Sequence, residues 1–287
     1  MILFKDVLGI SMFLEKERKK GHLVGFVPTM GALHQGHIAL IEKARENCGL
    51  TVCSIFVNPT QFNDPADFAK YPITLEKDLK MLSDAGTDIV FIPGVSDIYP
   101  PGNGGQTHYT LGTLETVLEG KYRPGHFQGV CQVVHRLLDI VKPEILFMGQ
   151  KDYQQCMVVR HLIDSYQIPT KLETCPTVRE PSGLAMSSRN MRLSETGKTN
   201  AAEIYQTLQF INAHLQPGPL ASIKDIAKQR LLNVGFKIDY LEICHQFDLR
   251  SLEYWDGQVP IVVLVAAFLG DVRLIDNMVP GKLVRVN

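Results

Sequence analysis

Short apolar segments rich in β-branched residues alternate with longer segments of helical spacing between Leu23 and about Phe147. Short apolar runs are typical of buried strands, and apolar positions three and four apart are typical of helices. The segments are LVGFVPT and IALIEKARENC, LTVCSIFVNP and TLEKDLKMLSDAG, DIVFIP, then GVCQVVHRLLDIV and EILFMG. Strands that alternate with helices predict a doubly wound parallel sheet.

The pattern changes after about Pro176. Two helix-like stretches follow, from Lys198 to about Leu215 and from about Ile223 to Asn233, and then three apolar segments come with no helix between them. Helices followed by adjacent strands indicate a largely antiparallel sheet. The predicted fold class is therefore α/β, with a Rossmann-like doubly wound domain over residues 1–176 and a smaller α+β domain over residues 177–287.

Composition narrows the class of protein. Of the 287 residues, 45% are hydrophobic and 21% are charged, and the formal net charge is -1 without a long basic block, so we expect no nucleic-acid partner. The longest apolar run, Ile261 to Leu269, is too short to cross a bilayer as a helix. At the N-terminus the basic residues follow the apolar ones, which is the wrong order for a signal peptide. We expect a cytoplasmic protein without a membrane partner, and reduced, mostly buried cysteines in preference to disulfides.

Three polar segments follow predicted strands directly. They are MGALHQGH at residues 30–37, NPTQF at residues 58–62 and GQKDYQQ at residues 149–155. The carboxyl ends of parallel strands lie along one edge of a sheet, and ligands bind in the crevice there. We therefore expect these three segments to line one site.

His34 and His37 lie three residues apart at a predicted helix start. Unpaired backbone N–H groups and the helix dipole favour an anion there, the imidazoles would add donors, and Gly31 would let the turn approach a ligand. Two solvated surface histidines and a metal pair are the alternatives. Zinc is disfavoured because it needs three or four ligands and no third His or Cys follows at a recognised spacing. The pattern favours a nucleotide phosphate.

Other polar residues fit the same chemistry. Lys151 would place a positive charge on a phosphate, although a solvated loop lysine is the alternative. Asn58 and Gln61 are neutral and suit a hydroxyl or a carboxylate, although both residue types are common in turns. The segment 176–190, PTVREPSGLAMSSRN, offers two hydroxyls and a guanidinium for a polyphosphate, or is a polar interdomain linker. Their joint occurrence indicates a nucleotide site.

Taken together, these motifs resemble those of the pantothenate synthetases, the pantoate–β-alanine ligase family of the nucleotidylyltransferase superfamily. The matching stretches are PTMGALHQGH, FVNPTQF, GKYRPGHFQGV, GQKDYQQ, PTVREPSGLAMSSRN and VAAFLGDVRLIDN. They span nearly the whole chain in the expected order. An HxGH alone is shared with many adenylyl-transferring enzymes, whereas FVNPxQF with GQKDxQQ and SSRN is specific to this family.

The resemblance implies an enzyme that condenses (R)-pantoate with β-alanine and forms pantothenate, AMP and pyrophosphate. Pantoate would attack the α-phosphorus of ATP to give pantoyl adenylate, which β-alanine would then attack. Mg²⁺ is expected to arrive with ATP, because it is commonly bound through substrate phosphates. The resemblance also implies a cytoplasmic homodimer, formed through the first domain.

The resemblance further implies roles for individual residues. The catalytic residues would be His34, His37 and Lys151, with His37 the usual candidate proton donor. Gln61 and Gln155 would hold pantoate, Gln61 would also lie beside β-alanine, and Asn58 is a second candidate for pantoate. Lys151 would contact phosphate and Asp152 ribose. The implied ATP-binding residues are Met30, Gly31, Ala32, Leu33, His34, Gln35, Gly36, His37, Gly149, Gln150, Lys151, Asp152, Val178, Met186, Ser187, Ser188 and Arg189.

The chain departs from the family pattern at two places. Asp78 lies where the family is commonly acidic near the metal, and Lys77 interrupts that acidity, so we assign no protein ligand to a metal. Ile73 stands where relatives commonly have arginine, so the segment from Thr60 to Tyr71 is expected to gate the site with altered contacts.

Two other functions fit part of the pattern. A nucleotidylyltransferase that acts on a phosphate ester would use the same HxGH, but it needs additional cationic groups for the acceptor. An ATP-binding regulatory module would explain the phosphate contacts but leaves the paired glutamines without a task.

Overall fold

The computed structural model describes residues 1–63, 65–100 and 107–281. The chain forms two compact units. The first contains Met1–Gly149 and Gln154–Cys175, and the second contains Gln150–Tyr153 and the residues from Pro176 onward. The short segment Gln150–Tyr153 therefore belongs with the second unit, which the sequence did not predict. The domain boundary at residue 176 stays a prediction, because compactness alone does not show that either part folds independently.

The first unit is built on a parallel sheet with the strand order β1-β4-β3-β2-β5-β6. All of its strand pairs are parallel, which confirms the predicted doubly wound class. The strands are β1 Ile2–Phe4, β2 Val24–Thr29, β3 Leu50–Ile55, β4 Ile89–Phe91, β5 Ile145–Gly149 and β6 Lys171–Cys175.

Helices cover both faces of this sheet. Neighbouring residues on β2 point to opposite faces, so that Phe26 packs in one hydrophobic cluster and Val27 in the other. Each cluster is closed by apolar helix positions, such as Leu138 on one face and Ile41 on the other. The helices are α1 Val7–Lys19, α2 Gln35–Asn47, α3 Pro65–Ala69, α4 Leu75–Asp84, α5 Val95–Ile98, α6 Glu119–Tyr122, α7 His126–Val141 and α8 Tyr153–Ser165.

The sheet has a switch point between β2 and β5. From β2 the chain builds the sheet outward through β3 and β4 on one side, and later through β5 and β6 on the other. Loops that leave the two strands flanking such a point diverge, and the crevice between them is where ligands bind in this class of sheet. The segments after Thr29 and after Ile55, together with Gly149 at the end of β5, therefore share the edge at which a site is expected.

The second unit is a small α+β structure, as predicted. Its main sheet is antiparallel, with the order β11-β10-β8, and its helices pack on it through residues such as Leu208 and Leu231. The predicted helix over residues 198–215 is two helices that meet at Ala202, where the backbone stays helical at φ -62° and ψ -21°. The elements are α9 Glu195–Ala201, α10 Glu203–His214, β7 Gly218–Pro219, α11 Ala221–Asn233, β8 Phe236–His245, β9 Tyr254–Trp255, β10 Ile261–Leu269 and β11 Val272–Met278.

Two further expectations concern cysteines and membranes. All six cysteines are described and are free thiols; Cys48 is half-buried and the other five are buried, as expected. Within residues 1–63, 65–100 and 107–281, no helix has the length and apolar character needed to span a bilayer.

Candidate active site

The loop after β2 contains a left-handed turn at Gly31 and Ala32, with φ values of 80° and 50°. Glycine adopts this conformation without strain, which explains the residue at position 31. The Gly31 N–H donates to Thr29 Oγ1 at 3.2 Å, and Thr29 Oγ1 donates to the Ser54 carbonyl at 2.7 Å. The turn is therefore tied to the ends of both β2 and β3.

Asp78 on α4 forms hydrogen bonds to the same loop. Its carboxylate accepts the N–H of Ala32 at 2.9 Å, the N–H of Leu33 at 2.8 Å and the Thr74 hydroxyl at 3.0 Å. Asp78 is only 1% exposed. The role near a metal that the family resemblance suggested for this position does not fit the structure, because both carboxylate oxygens already accept protein donors.

His34 and His37 occupy the predicted helix start. His34 is the N-cap of α2, and its Nδ1 accepts the Gly36 N–H at 3.2 Å, while Nδ1 of His37 accepts the His34 N–H at 3.3 Å. The ring centroids are 4.0 Å apart. Since Nδ1 is the acceptor in both rings, the neutral imidazoles carry their proton on Nε2. The site thus contains two neighbouring Nε2–H donors.

Several backbone N–H groups around the predicted helix start are bonded within the motif itself. In the first turn of α2 the Gly36 N–H donates to His34 Nδ1 and the His37 N–H to the His34 carbonyl, and the N–H groups of the preceding loop, residues 31–34, donate to side chains. The polar side chains of the motif cap the turn that they belong to. The imidazoles are therefore candidates to hold an anion at this helix start, and the prediction of backbone donors there stays a prediction.

Asn58 organises the loop after β3. It is 1% exposed, and its Nδ2 donates to Gln61 Oε1 and to the Gly129 carbonyl, both at 3.2 Å. Its Oδ1 accepts the Tyr99 hydroxyl at 2.7 Å. Burial raises the pKa of Tyr99, so this hydroxyl stays protonated and remains a donor. Asn58 is therefore bonded to the protein on both its N and its O atoms, and its direct effect is to orient Gln61.

Gln61 joins the two loops. Its Nε2 lies 3.1 Å from Met30 Sδ, so the segments after β2 and β3 meet as the sequence predicted. Its backbone is held by α7, because the His126 ring Nδ1 lies 2.7 Å from the Gln61 carbonyl. The approach of α7 is close: a Cβ at Gly129 would lie 2.3 Å from the Thr60 carbonyl oxygen, so only glycine fits there.

The tautomer of His126 follows from its neighbours. The Arg123 Nη1 lies 3.0 Å from His126 Nε2, and a guanidinium can only donate. His126 Nε2 is therefore the acceptor, and Nδ1–H is the donor to Gln61. Arg123 is in turn 3.6 Å from the buried Glu119 carboxylate.

The two adjacent glutamines of GQKDYQQ, Gln154 and Gln155, have different surroundings. Gln154 is 2% exposed; its Nε2 donates to the carbonyls of Leu114 and Val117, and its Oε1 accepts the Glu119 N–H. Gln155 is half-buried in the first turn of α8. Of the two, Gln154 supports the fold, which leaves Gln155 as the candidate for a ligand.

Within the second unit, the predicted nucleotide residues lie on two segments. Gln150–Asp152 form a short 3₁₀ turn in which Lys151 Nζ lies 3.8 Å from the Asp152 carboxylate. Val178 and Met186 are brought together, since the Met186 N–H donates to the Val178 carbonyl at 3.0 Å. Ser187 caps the following 3₁₀ helix, Ser188–Arg192, by accepting the Arg189 N–H at 3.3 Å.

Comparison with known proteins decides the family. A family model described as pantoate–β-alanine ligase matches residues 3–279. The chain belongs to the pantoate–β-alanine ligase family. It is therefore an enzyme of this family, as the motifs indicated.

Similar proteins match this chain over nearly their whole length. A pantothenate synthetase from Cytophaga hutchinsonii is 45% identical over 282 residues, which are 97% of this chain and 99% of that protein. A crystal structure of pantothenate synthetase from Thermus thermophilus matches with a TM-score of 0.90 at 40% identity, covering 97% of this chain and 99% of that one. The pantoate–β-alanine ligase from Francisella tularensis, complexed with beta-gamma ATP and beta-alanine, matches with a TM-score of 0.81 at 38% identity and covers 97% of each chain.

Sequence reasoning missed three residues that hold the ligase motifs in place. Asp78 and His126 are described above, and Asn277 on β11 donates to the backbone of Gln150 and Lys151. A signal existed for Asp78, which lies on the same face of α4 as the buried Leu82, four residues on. A carboxylate on an otherwise apolar face must find buried donors.

Mg²⁺ is expected with ATP, so we looked for side chains that could hold a metal ion. Among the described residues, no group of three or more His, Cys, Asp or Glu side chains is arranged to hold a metal ion.

Proposed function

We propose that this chain joins (R)-pantoate to β-alanine at the expense of ATP, through a pantoyl-adenylate intermediate. The pantoate carboxylate attacks the α-phosphorus of ATP and pyrophosphate leaves. The amino group of β-alanine then attacks the acyl carbon, and AMP leaves with its electron pair on the former carboxylate oxygen. A carboxylate is a poor electrophile, and adenylation gives it a good leaving group.

The observation that carries this proposal is the contact between Gln61 Nε2 and Met30 Sδ. It brings the loop after β3, with its neutral amides, next to the loop after β2, which leads to His34 and His37. The two Nε2–H groups of His34 and His37 suit the charge that grows on the α-phosphate in the transition state. Gln61, which the neutral Asn58 orients, carries no formal charge, so it suits a substrate with hydroxyls and one carboxylate. An acceptor with its own phosphate would require further positive charge.

We assign the remaining roles on the same basis. His37 is the candidate proton donor, and Gln61 and Gln155 hold pantoate. Lys151 contacts a phosphate and Asp152 the ribose. The nucleotide is bound by the remaining residues of the predicted set: Met30 to Gly36, Gly149, Gln150, Val178 and Met186 to Arg189.

Three further properties belong to the proposal. The ATP phosphates would carry Mg²⁺ with them, and the ion would neutralise part of their charge. The enzyme is a cytoplasmic homodimer formed through the first domain. Tyr71 to Thr74, with Ile73 83% exposed, borders the segment that we expect to gate the site.

The decisive assay is pyrophosphate release from ATP, first with pantoate alone and then with β-alanine added. We expect pantoyl adenylate in the first case, and AMP with pantothenate in the second. Equal stimulation by a phosphorylated acceptor would favour a nucleotidylyltransferase of different specificity. ATP binding without any pyrophosphate release would leave a regulatory module.

Replacing His37 tests the role of the imidazole pair. His37→Ala should slow adenylate formation by roughly 10²-fold, as expected for a lost transition-state donor. Rapid-quench measurement of pantoyl adenylate gives the rate directly. His22→Ala is the matched control, because His22 bonds to Glu17 at 2.9 Å and belongs to no motif. An unchanged rate in His37→Ala would remove His37 from the mechanism.

A further inference from the structure

Two buried polar residues stand next to each other on β11, at the edge of the antiparallel sheet. Asp276 is 4% exposed and Asn277 is 2% exposed. A buried polar side chain on a strand is costly unless it is hydrogen-bonded. Each of these two residues binds a different segment that carries predicted nucleotide contacts.

Asn277 binds the segment that contains Lys151. Its Nδ2 donates to the carbonyls of Gln150 and Lys151, both at 2.9 Å, and its Oδ1 accepts from Gln150 Nε2 at 3.2 Å. A side-chain amide has two N–H donors, so both are used on consecutive carbonyls. The backbone on either side of the Lys151 Cα is therefore fixed to β11.

Asp276 binds the other segment. Its carboxylate accepts from Arg179 Nη1 at 2.5 Å and from Arg179 Nη2 at 3.0 Å, and the guanidinium lies 4.0 Å from the Tyr205 ring centroid. Arg179 pairs with Ala185 in a short antiparallel bridge, directly before Met186. Asp276 Oδ1 also accepts the Asn277 N–H at 2.8 Å, so the contacts of Asp276 and those of Asn277 are linked.

The position of the Lys151 ammonium depends on the contacts that Asn277 makes with the backbone; we call these contacts the Asn277 clamp. Lysine is a point charge on a flexible stem, so its reach is set by where the stem begins. A displacement of about 1 Å at a group that stabilises a transition state can lower the rate by roughly 10²-fold. Asn277 adds side-chain donors to the carbonyls of Gln150 and Lys151 and so ties the 3₁₀ turn Gln150–Asp152 to β11.

We infer that Asn277 is a positioning residue that acts through Lys151, by fixing the two carbonyls at residues 150 and 151. The inference rests on the proposed function only in so far as Lys151 binds a phosphate of ATP. The clamp itself is independent of which acid is activated.

The first test is a double-mutant cycle on adenylate formation. Asn277→Ala should lower kcat/KM for ATP roughly tenfold, because it removes two donors to Lys151 and its neighbour. Asn277→Asp keeps the size but loses both donors, so a similar loss is expected. In a Lys151→Ala background, Asn277→Ala should have less than about a twofold further effect, because coupled residues are not additive.

Controls separate this role from general stability. Asn233→Ala, at the exposed end of α11, should leave kcat/KM and Tm unchanged. If Asn277→Ala does not fold, Asn277→Ser retains one hydroxyl donor and should give an intermediate loss. A full tenfold effect that persists in the Lys151→Ala background would overturn the inference, and so would wild-type kinetics in Asn277→Asp.

A second readout does not depend on catalysis. ATP should protect Lys151 from acylation by an amine-reactive reagent, measured by mass spectrometry, with the exposed Lys237 as the internal control. This protection should be lost in Asn277→Ala and Asn277→Asp. Undiminished protection in both variants would contradict the positioning role. If the wild-type chain forms no pantoyl adenylate but ATP still protects Lys151, the proposed acid substrate fails while the clamp is still tested.

Discussion

The two units hold their motifs in place with opposite chemistry. In the first unit, the loop after β2 turns its N–H groups inward, and a carboxylate, Asp78, accepts two of them. In the second unit, the turn at Lys151 turns its carbonyls toward β11, and the amide of Asn277 donates to two of them. The backbone groups that a segment presents, N–H in one case and C=O in the other, thus determine which side chain can hold it.

Asp78 and Asn277 also differ in charge. Asp78 places a negative charge next to a loop that is proposed to bind a phosphate, whereas Asn277 is neutral and lies next to the backbone of Lys151. Hydrogen bonds to an ionised group are about twice as strong as neutral ones, so the contacts of Asp78 should contribute more to stability than those of Asn277. Loss of Asp78 should therefore cost more stability than loss of Asn277.

The largest effect is expected at Asp78. Asp78→Ala leaves the buried N–H groups of Ala32 and Leu33 without their acceptor, so it should destabilise the protein by roughly 3 kcal/mol. Adenylate formation should fall roughly 10²-fold, since the loop carries both histidines. Urea unfolding and rapid-quench kinetics measure the two quantities.

Two variants make the Asp78 test specific. Asp78→Asn has the same size, but it turns an N–H donor toward one of the two backbone N–H groups, so it should behave nearly as badly as alanine. Asp84→Ala removes an exposed carboxylate from the same helix, where its partner is Lys80 at 3.2 Å, and should be almost neutral. A mild effect in Asp78→Asn would mean that filling space, and not accepting N–H groups, is what the loop requires.

A smaller effect is expected at His126, which holds the backbone of Gln61. His126→Ala removes the hydrogen bond to the Gln61 carbonyl as well as the contact with Arg123, so KM for pantoate should rise roughly tenfold while kcat changes little. Steady-state kinetics with pantoate varied at saturating ATP provide the measurement. His161→Ala is the matched control, because His161 also bonds to a carbonyl, that of Thr110 at 2.9 Å, outside the motifs. A defect confined to KM for ATP would show that His126 does not act through Gln61.

The architecture was predictable from sequence because its signals are local. Alternation of apolar runs with helical spacing indicated the parallel sheet, and the motif residues were identifiable because they follow strands directly. The holding residues were harder to predict: Asp78 is 45 residues from Leu33, and Asn277 is 126 residues from Lys151. Their partners are backbone groups, which every residue carries, so no residue type at the other end marks the contact.

The same limit applies to the helix start. The sequence contains two histidines and predicts donors for an anion, but it does not reveal that Nδ1 of each ring accepts a backbone N–H. Only the folded geometry assigns the acceptor role to Nδ1 and the proton to Nε2 in each ring. The prediction of an anion site therefore stays, and the imidazoles are the side-chain donors proposed for it.

The smallest predicted effect compares buried thiols in the two units. Burial raises the pKa of Cys53 in the first unit and of Cys244 in the second to about 12, from an ordinary value of 9.0. Because the unfolded thiols ionise first, each contribution to stability is complete below about pH 9 and is lost as the pH rises toward 12. By pH 10 the loss is about 1 kcal/mol for each thiol.

Cys53→Ala and Cys244→Ala should therefore lower stability at pH 7 but flatten its decline between pH 8 and pH 10, as measured by urea unfolding. Cys131 in the first unit has a pKa raised to about 12 as well, whereas Cys48 is only half-buried and its replacement should change the slope least. If the slope of Cys53→Ala equals that of the wild type, the thiol on β3 is not kept protonated by burial. Since the first unit contains more buried thiols than the second, the first unit should lose more stability at alkaline pH.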